Sequence, residues 1–387
     1  MGSWNPYSLA NQERCYVVKE STVGTLAKPS STNQIYTVGV VSFEQELELF
    51  EDEQVRSGAS QRSKLKGRYM PGTWSFTTYV KPSGTKGTAP EHDVLFECLA
   101  GTKTTNAGTS VVYTPADDLS TFSLWVKKGH TVFAMKGCSV EQAEFTVSGD
   151  DLARINWSGG FMDLHWAGTS ELAEAISASQ NYIKVKHSQR FKAGMYIQTA
   201  SENNGGNGFQ ITNVIHYPDG TGKLVISPDI SSGSAGEAVT PWYPSAGTEV
   251  GQPIHGKLGI ATVDNVNMII LSGTVTIKNN IKYYIDEKNG QLYATNLGRP
   301  GRREVTGEVL AMFAQPFTSY FYRSRQRTQD ALVLPAGDTA GYIMELSFPY
   351  VEWEFPGLSG DEEVQVTLGF TAVASASLND EFTITFK

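Results

Sequence analysis

Apolar and polar residues alternate in short runs along most of the chain, and the dominant period is two, the spacing of a half-buried strand. Tyr69–Val80 puts Trp74, Phe76 and Thr78 on one face of a β-prone run. Glu44 to Leu49 alternates acid and apolar residues and predicts a strand with one wet face. Further strands are predicted at Phe122–Lys127, His130–Lys136 and Val140–Val147, the first two turning at Lys128-Gly129. The pattern becomes helical over 91–100, with Pro90 in front, apolar residues at 94, 95, 98 and 99, and Gly101 behind. It does so again over 316–329. Residues 1–40 are polar, with strand-like runs only at Val17–Val18 and Ile35–Val41, and read as an extended arm.

Between about 175 and 245 the runs shorten. Four brief strands, Tyr182–Lys186, Met195–Thr199, Phe209–His216 and Leu224–Ser227, are separated by Gly-rich or Asp-Gly turns. This segment predicts a small β domain inserted into a larger one. Longer strands resume at Asn267–Leu271, Gly273–Lys278 and Glu304–Phe313. Tyr342–Ser347, Val351–Phe355, Val364–Ala374 and Glu381–Phe386 complete the pattern.

The most informative feature is an internal repeat. Val140-Glu141, then Ser148-Gly149-Asp150-Asp151, is matched by Val351-Glu352, then Ser359-Gly360-Asp361-Glu362. The order of elements repeats with it: a strand opened by Gly67-Arg68 or Gly301-Arg302-Arg303, a helix, then the Val-Glu hairpin. Self-similarity of this kind predicts two related halves about a pseudo-twofold axis. The expected organisation is an arm and charged hairpin (1–66), a first half (67–170), the inserted domain (171–250) and a second half (251–387). The fold class is mainly β, with short flanking helices.

Composition narrows the chemistry. Of 387 residues, 18% are charged and the net charge is −9, a poor balance for wrapping phosphates. The three cysteines, Cys15, Cys98 and Cys138, form no metal or disulfide spacing, and no apolar run approaches a membrane span. The N-terminus has no basic region followed by an apolar core, so no signal peptide is expected. The six histidines are isolated, and no phosphate loop, dinucleotide fingerprint or nucleophile elbow occurs. No cofactor, metal or catalytic residue is expected. Glu141, Glu144, Glu352 and Glu354 are paired carboxylates, a set that acid/base chemistry uses. Without a histidine or metal motif beside them, a wet acidic β surface is the simpler reading. Glu44, Glu46 and Glu48 precede a basic run, Arg56, Arg62, Lys64, Lys66 and Arg68. Such blocks suit either contacts between subunits or a charge-balanced hairpin. Arg323, Arg325 and Arg327 spread around the second helix.

Three stretches carry a family resemblance: Lys66–Val80 followed by Pro90–Phe96, Ser272–Ile277 with Asn279-Asn280-Ile281, and Gly298–Gly307. With them the chain resembles the tail tube (major tail) proteins of tailed phages over roughly 60–160 and 255–387. The resemblance implies two packed antiparallel sheets with a flanking helix, a tail-tube β-sandwich or barrel. It implies homo-hexameric rings whose inner sheets join, stacked into a tube that conducts DNA without specific binding. The implied partners are other copies of the chain, a tape measure, a terminator and baseplate or tip proteins, with no membrane. The implied location is the virion tail, assembled in host cytoplasm. On this reading Glu141, Glu144, Glu352 and Glu354 face the lumen. Glu44, Glu46, Glu48, Arg62, Lys64, Lys66, Arg68, Arg302 and Arg303 make contacts between rings or subunits. The inserted domain points outward, which favours a non-contractile tail. The competing expectations are a β-sandwich adhesin using Trp166, Trp242 and Tyr243, a hydrolase with no nameable residue set, and a tail ring protein that does not polymerise.

Overall fold

The computed structural model describes residues 12–51, 64–256, 261–264, 266–286, 292–360 and 363–387. The chain is mainly β, built from several antiparallel sheets.

The first half begins with β1 (Arg14–Lys19), β2 (Gln34–Ile35) and β3 (Val38–Glu44). A hairpin of β4 (Leu47–Phe50) and β5 (Leu65–Tyr69) leads into β6 (Gly72–Tyr79) and α1 (Asp93–Ala100). A second hairpin, β7 (Gly101–Asn106) and β8 (Ser110–Pro115), follows. Then come β9 (Phe122–Lys128), β10 (Thr131–Cys138), β11 (Gln142–Ser148), β12 (Arg154–Phe161) and β13 (Asp163–Ala167). These strands make two layers. One is ordered β13-β10-β9-β1-β2, and the other runs β11-β12-β6-β3. Alternation along β6, β11 and β12 aims Trp74, Phe76, Phe145, Ile155 and Trp157 between the layers. There Trp74 meets Phe122 of the facing layer edge-on, 5.4 Å between centroids.

The arm expected over 1–40 is corrected for its described part. Cys15 and Val17 enter the core between the layers, and β1 pairs with β9 along its whole length. The strand-like run at Val17–Val18 marks the centre of this strand, which extends over six residues. Glu20, just past it, is buried and ties the layer together. Its carboxylate accepts from the Thr121 and Ser123 hydroxyls and the Gly24 and Gly137 amides. The continuous strand expected over 44–49 is also corrected. It breaks at Gln45 and Glu46, because the Gln45 amide bonds Met70 O (3.0 Å), Met162 O (3.3 Å) and the Leu164 N–H (3.2 Å).

The inserted segment forms one six-stranded sheet, in the order β14-β19-β16-β17-β18-β15. Its strands are β14 (Ser170–Glu171), β15 (Gln180–Val185), β16 (Tyr196–Thr199), β17 (Phe209–His216), β18 (Gly222–Ile230) and β19 (Ala238–Pro241). It packs on the outer face of the β13-β10-β9-β1 layer, through Tyr16, Trp125, Val132 and Ala134. That is why β1 and β9 read as apolar runs with little alternation, since both of their faces are covered.

The second half contains β20 (Ala261–Val263), β21 (Val266–Met268) and β22 (Ile270–Lys278). A hairpin of β23 (Lys282–Ile285) and β24 (Ala294–Gly298) precedes β25 (Glu304–Met312) and α2 (Thr318–Gln326). The chain closes with β26 (Gln329–Ala336), β27 (Met344–Trp353), β28 (Gly357–Ser359), β29 (Gln365–Ala372) and β30 (Thr383–Phe386). Its layers run β30-β27-β26-β20-β21 and β28-β29-β25-β22. Strands of the first half therefore have counterparts in the second: β3 in β22, β6 in β25, β9 in β26, β12 in β29 and β13 in β30. The β4–β5 hairpin corresponds to β23–β24, and α1 to α2. Among the described residues β7–β8 has no counterpart, and in the second half one strand, β27, serves both layers.

Two strand pairings join the halves. β11 and β22 pair antiparallel from Gln142↔Lys278 to Ser148↔Ser272, so the two inner layers become one sheet. β8 pairs with β30 in the outer layer. The sheet order β28-β29-β25-β22 is followed directly by β11-β12-β6-β3. This is one four-strand unit followed by its copy, laid head to tail.

Candidate functional site

The face of the joined sheet that turns away from the core is polar. On β11 it carries Gln142, Glu144, Thr146 and Ser148, alternating with buried Ala143, Phe145 and Val147. Cross-strand register extends Glu144 into a row of seven strands: Thr77, Asn156, Glu144, Thr276, Thr306, Thr371 and Glu352. At about 4.8 Å per strand the row spans roughly 29 Å. The row beside it holds Tyr79, Arg154, Thr146, Thr274, Glu308 and Gly369. Glu354 closes that row, its N–H bonding Gly369 O at 2.8 Å. A third row runs Ser42, Ser75, Ser158, Gln142, Lys278 and Glu304. The three rows are a carpet of hydroxyls and amides in which carboxylates outnumber cations. One of the cations, Arg154, is held by Asp151 at 2.9 Å.

The structure thus brings Glu144, Glu352 and Glu354 onto one face. Glu352 is bridged there by Arg327 Nε at 3.1 Å. Glu141 departs from this grouping. It precedes β11, where the chain crosses between layers, and lies near Tyr283. Burial first, then neighbouring charges including Glu141, push the Tyr283 hydroxyl well above its usual range. Sequence reasoning missed Glu304 and Glu308 and the threonine rows. Their signal was present in the alternation of Thr274 and Thr276, and of Glu304, Thr306 and Glu308.

A second surface lies at one end of this sheet. Four antiparallel steps separate β3 from β22, so the two run in the same direction and their hairpins leave at the same end. The hairpins touch through the Tyr69 N–H and Leu292 O, at 2.6 Å. Leu49, Phe50, Leu65 and Leu292 are all about half or more exposed there. Of these, Phe50 and Leu65 face each other across the β4–β5 hairpin as an exposed apolar pair. The charges around it are spent within the chain: Arg68 binds Glu48 at 2.9 Å and Lys64 binds Glu51 at 2.6 Å. Glu44 closes the exposed strand β3, and the Glu46 carbonyl accepts from the Met70 N–H. Lys66 stands opposite Leu49 in the hairpin. Arg62 lies outside the described residues.

Arg302 is exposed, whereas the expectation for Arg303 is corrected. The Arg303 side chain is only 2% exposed. It donates to Asn279 Oδ1 (3.1 Å) and Ala116 O (2.8 Å), with Glu381 at 3.4 Å. Asn279, fully buried, donates onward to Leu99 O and Val140 O. The Asn279–Arg303 pair therefore fastens the two halves of one chain together, and burial rules out a contact with another.

The aromatic residues expected of an adhesin are capped from within. Lys28 covers Trp242 at 4.4 Å and Tyr196 at 4.7 Å, Lys127 covers Tyr243 at 4.4 Å, and Lys192 covers Trp166 at 5.4 Å. Among the described residues no group of three or more His, Cys, Asp or Glu converges to hold a metal, and no helix is long and apolar enough to cross a membrane.

One titratable group is placed to govern stability. His92, at the start of α1, is buried beside a cavity of about 470 Å3, and neither ring nitrogen has a hydrogen-bond partner. Burial, reinforced by the Lys81 charge, lowers its pKa to about 3. The fold therefore holds the neutral ring, while the unfolded chain protonates near pH 6.5. Above that pH neither state gains a proton and the neutral ring carries no penalty. Below it the unfolded state is favoured progressively until pH nears 3. Between pH 7 and pH 4 this group alone is expected to remove about 3 kcal/mol of stability. Urea titrations at the two pH values, on wild type and His92→Leu, check it. An equal loss in both proteins would show that carboxylates account for the pH dependence.

No family model matches the chain, and no curated protein matches it.

Proposed function

We propose that this chain is the building block of a phage tail tube, a wall subunit that assembles into rings stacked around a channel for DNA. The observation that carries the reading is the joined sheet. Its two four-strand units stand head to tail, one face is packed and the other is a hydroxyl and carboxylate carpet. Head-to-tail contacts between copies generate rings or filaments. A wall of this chemistry suits a polyanion in transit, since strong phosphate binding requires clustered Lys and Arg. The inserted sheet sits on the opposite side of the sandwich, which leaves it outside such a ring. The apolar hairpin end supplies an axial contact for stacking. DNA would pass without specific binding, and the chain's partners would be its own copies and the tail proteins at the tube's ends. An enzymatic role has no residue set in its favour, and an adhesin would need the aromatic faces that lysines cover.

Negative-stain electron microscopy of the purified protein over a concentration series tests the reading. Hollow tubes of uniform width, or stacked rings, are the expected result. Single particles at every concentration and salt would overturn it in favour of a monomeric binding module.

A further inference from the structure

We infer that residues 244–250 form a strap over the cavity at the start of α1, and that a proton taken up by His92 releases it. The inference concerns the single chain and stands apart from the tube reading above.

The strap is the path by which the chain leaves the inserted sheet after β19. It lies against the turn Ser31–Asn33, and Gly247 sits so close that a Cβ there would meet Ser31 O at 2.2 Å. Side chains hold it in place. The Tyr16 hydroxyl donates to Pro244 O (3.1 Å), the Gly247 N–H donates to Gln34 Oε1 (2.8 Å), and the Tyr36 hydroxyl donates to Gly247 O (3.2 Å). Glu249 is bound by Lys81. Among the described residues, 244–250 make no hydrogen bond from main chain to main chain. Ser245, Ala246, Thr248, Glu249 and Val250 are exposed. A segment with few buried contacts and no ladder of its own belongs to the part of a fold that opens locally.

The trigger lies at the cavity. Ala246, Gly247, Thr248 and Val250 line this space of about 470 Å3, and His92 lines it from the start of α1. The His92 ring is 1% exposed and neither nitrogen has a hydrogen-bond partner. Its carbonyl accepts from the Leu95 and Phe96 N–H groups at 2.9 and 3.1 Å. The backbone is thereby fixed, and the ring is the part free to move. Once protonated, the ring is a buried cation without an acceptor, and Lys81 adds a charge of like sign. Such a charge carries a penalty of several kcal/mol until it reaches water. The cavity gives it room to turn, and turning brings it against the strap. Release would leave the inserted sheet held by its apolar packing on the outer layer.

The other charged groups at the cavity are paired. Asp93 accepts from Lys103 (2.6 Å) and the Tyr113 hydroxyl (2.7 Å). Glu91 meets Lys81 at 3.3 Å and accepts from the Tyr36 N–H at 3.0 Å. Residues 31–34 carry no titratable group. Glu91 acts in the opposite sense to His92. Burial raises its pKa, so acid protonates it more readily with the strap closed and favours closure. For His92 the closed value is about 3. With the strap open it returns to near 6.5. The opening equilibrium is therefore unaffected above that pH and rises about 30-fold between pH 7.5 and pH 5.

Hydrogen exchange of the full chain, read by mass spectrometry as protection factors at pH 7.5 and pH 5, tests this. Wild-type peptides covering 244–250 are expected to lose about 30-fold in protection at pH 5, while β9 keeps its own. In His92→Leu, which retains the Glu91 contribution, the same peptides are expected to lose none. Gly247→Ala cannot seat against Ser31 and is expected to be open already at pH 7.5. Equal losses in wild type and His92→Leu would overturn the trigger. Unchanged protection in wild type would overturn release by a proton. An equal loss in β9 would mean that the whole first half loosens, and would overturn the strap. So would a Gly247→Ala chain as well protected as wild type.

Discussion

A chain carrying Phe50→Asp and Leu65→Asp is expected to form single rings and no tubes. The two residues face each other across the β4–β5 hairpin, and they are 51% and 65% exposed. Little of the chain's own packing depends on them, and surface changes of this kind usually stay within about 0.5 kcal/mol. An axial contact that buries the hairpin would have to desolvate two new carboxylates in every chain. Stripping water from an unpaired charge has an effective penalty of several kcal/mol per ion. Every chain in a ring would carry that penalty at once, so stacking should fail even at high concentration. Sedimentation velocity and negative stain read the result. Tubes as long as those of wild type would show that rings stack through some other surface. The charged residues nearby are weaker levers, because Glu48 and Arg68 already satisfy each other and exposed pairs contribute roughly 1 kcal/mol or less.

The second large effect is expected at Phe96. This ring lies in α1 with no exposed surface to speak of, and four aromatic residues surround it. Tyr113, Trp157 and Phe386 have centroids 5.3, 5.2 and 5.1 Å away, and Phe145 stacks at 6.4 Å. The group joins α1, β8, β11 and β12 of the first half to the last strand of the second. Phe96→Ala would leave a cavity that such rigid neighbours cannot fill. The expected loss is about 4 kcal/mol, in the upper range for an aromatic truncated in a packed core. Phe96→Leu should retain most of the stability. Urea unfolding of both variants checks this, and a loss below about 1 kcal/mol for the alanine variant would mean that the cluster repacks. Because Phe386 belongs to the second half, the alanine variant should also loosen the β8–β30 joint. Hydrogen exchange at Val111–Tyr113 would show it.

Much of the local structure was legible in the chain. Period two marked β6, β10, β11 and β22 because one face of each strand is wet or differently packed, and β9 showed as an apolar run because both its faces are covered. The stop signals of α1, Pro90 and Gly101, were visible because a helix end has to satisfy its own backbone. The Val-Glu and Ser-Gly-Asp repeat was visible because both copies stand just before corresponding strands, β12 and β29. Less was legible where a residue's partner is remote in sequence. β1 showed only as the short run Val17–Val18, and its place in the core did not, because its pairing partner lies about a hundred residues away in β9. Arg303 read as a surface cation because nothing beside it in sequence announces Asn279, Ala116 and Glu381.

What the sequence determined by itself is therefore the class of the protein: mainly β, duplicated, acidic, with an added segment of short strands and no catalytic motif. These properties are written in nearest-neighbour terms, as alternation, turn residues and charge. Only the tertiary structure decided which strands stand side by side. Register across seven strands gathered Glu144, Glu352 and the threonines into one row, and left Glu141 out. It set the second unit directly after the first in one sheet, through a seam between residues more than a hundred positions apart. A strand's sequence specifies which face is buried. Its neighbour is selected by the packing of the whole core, and that choice created the polar wall.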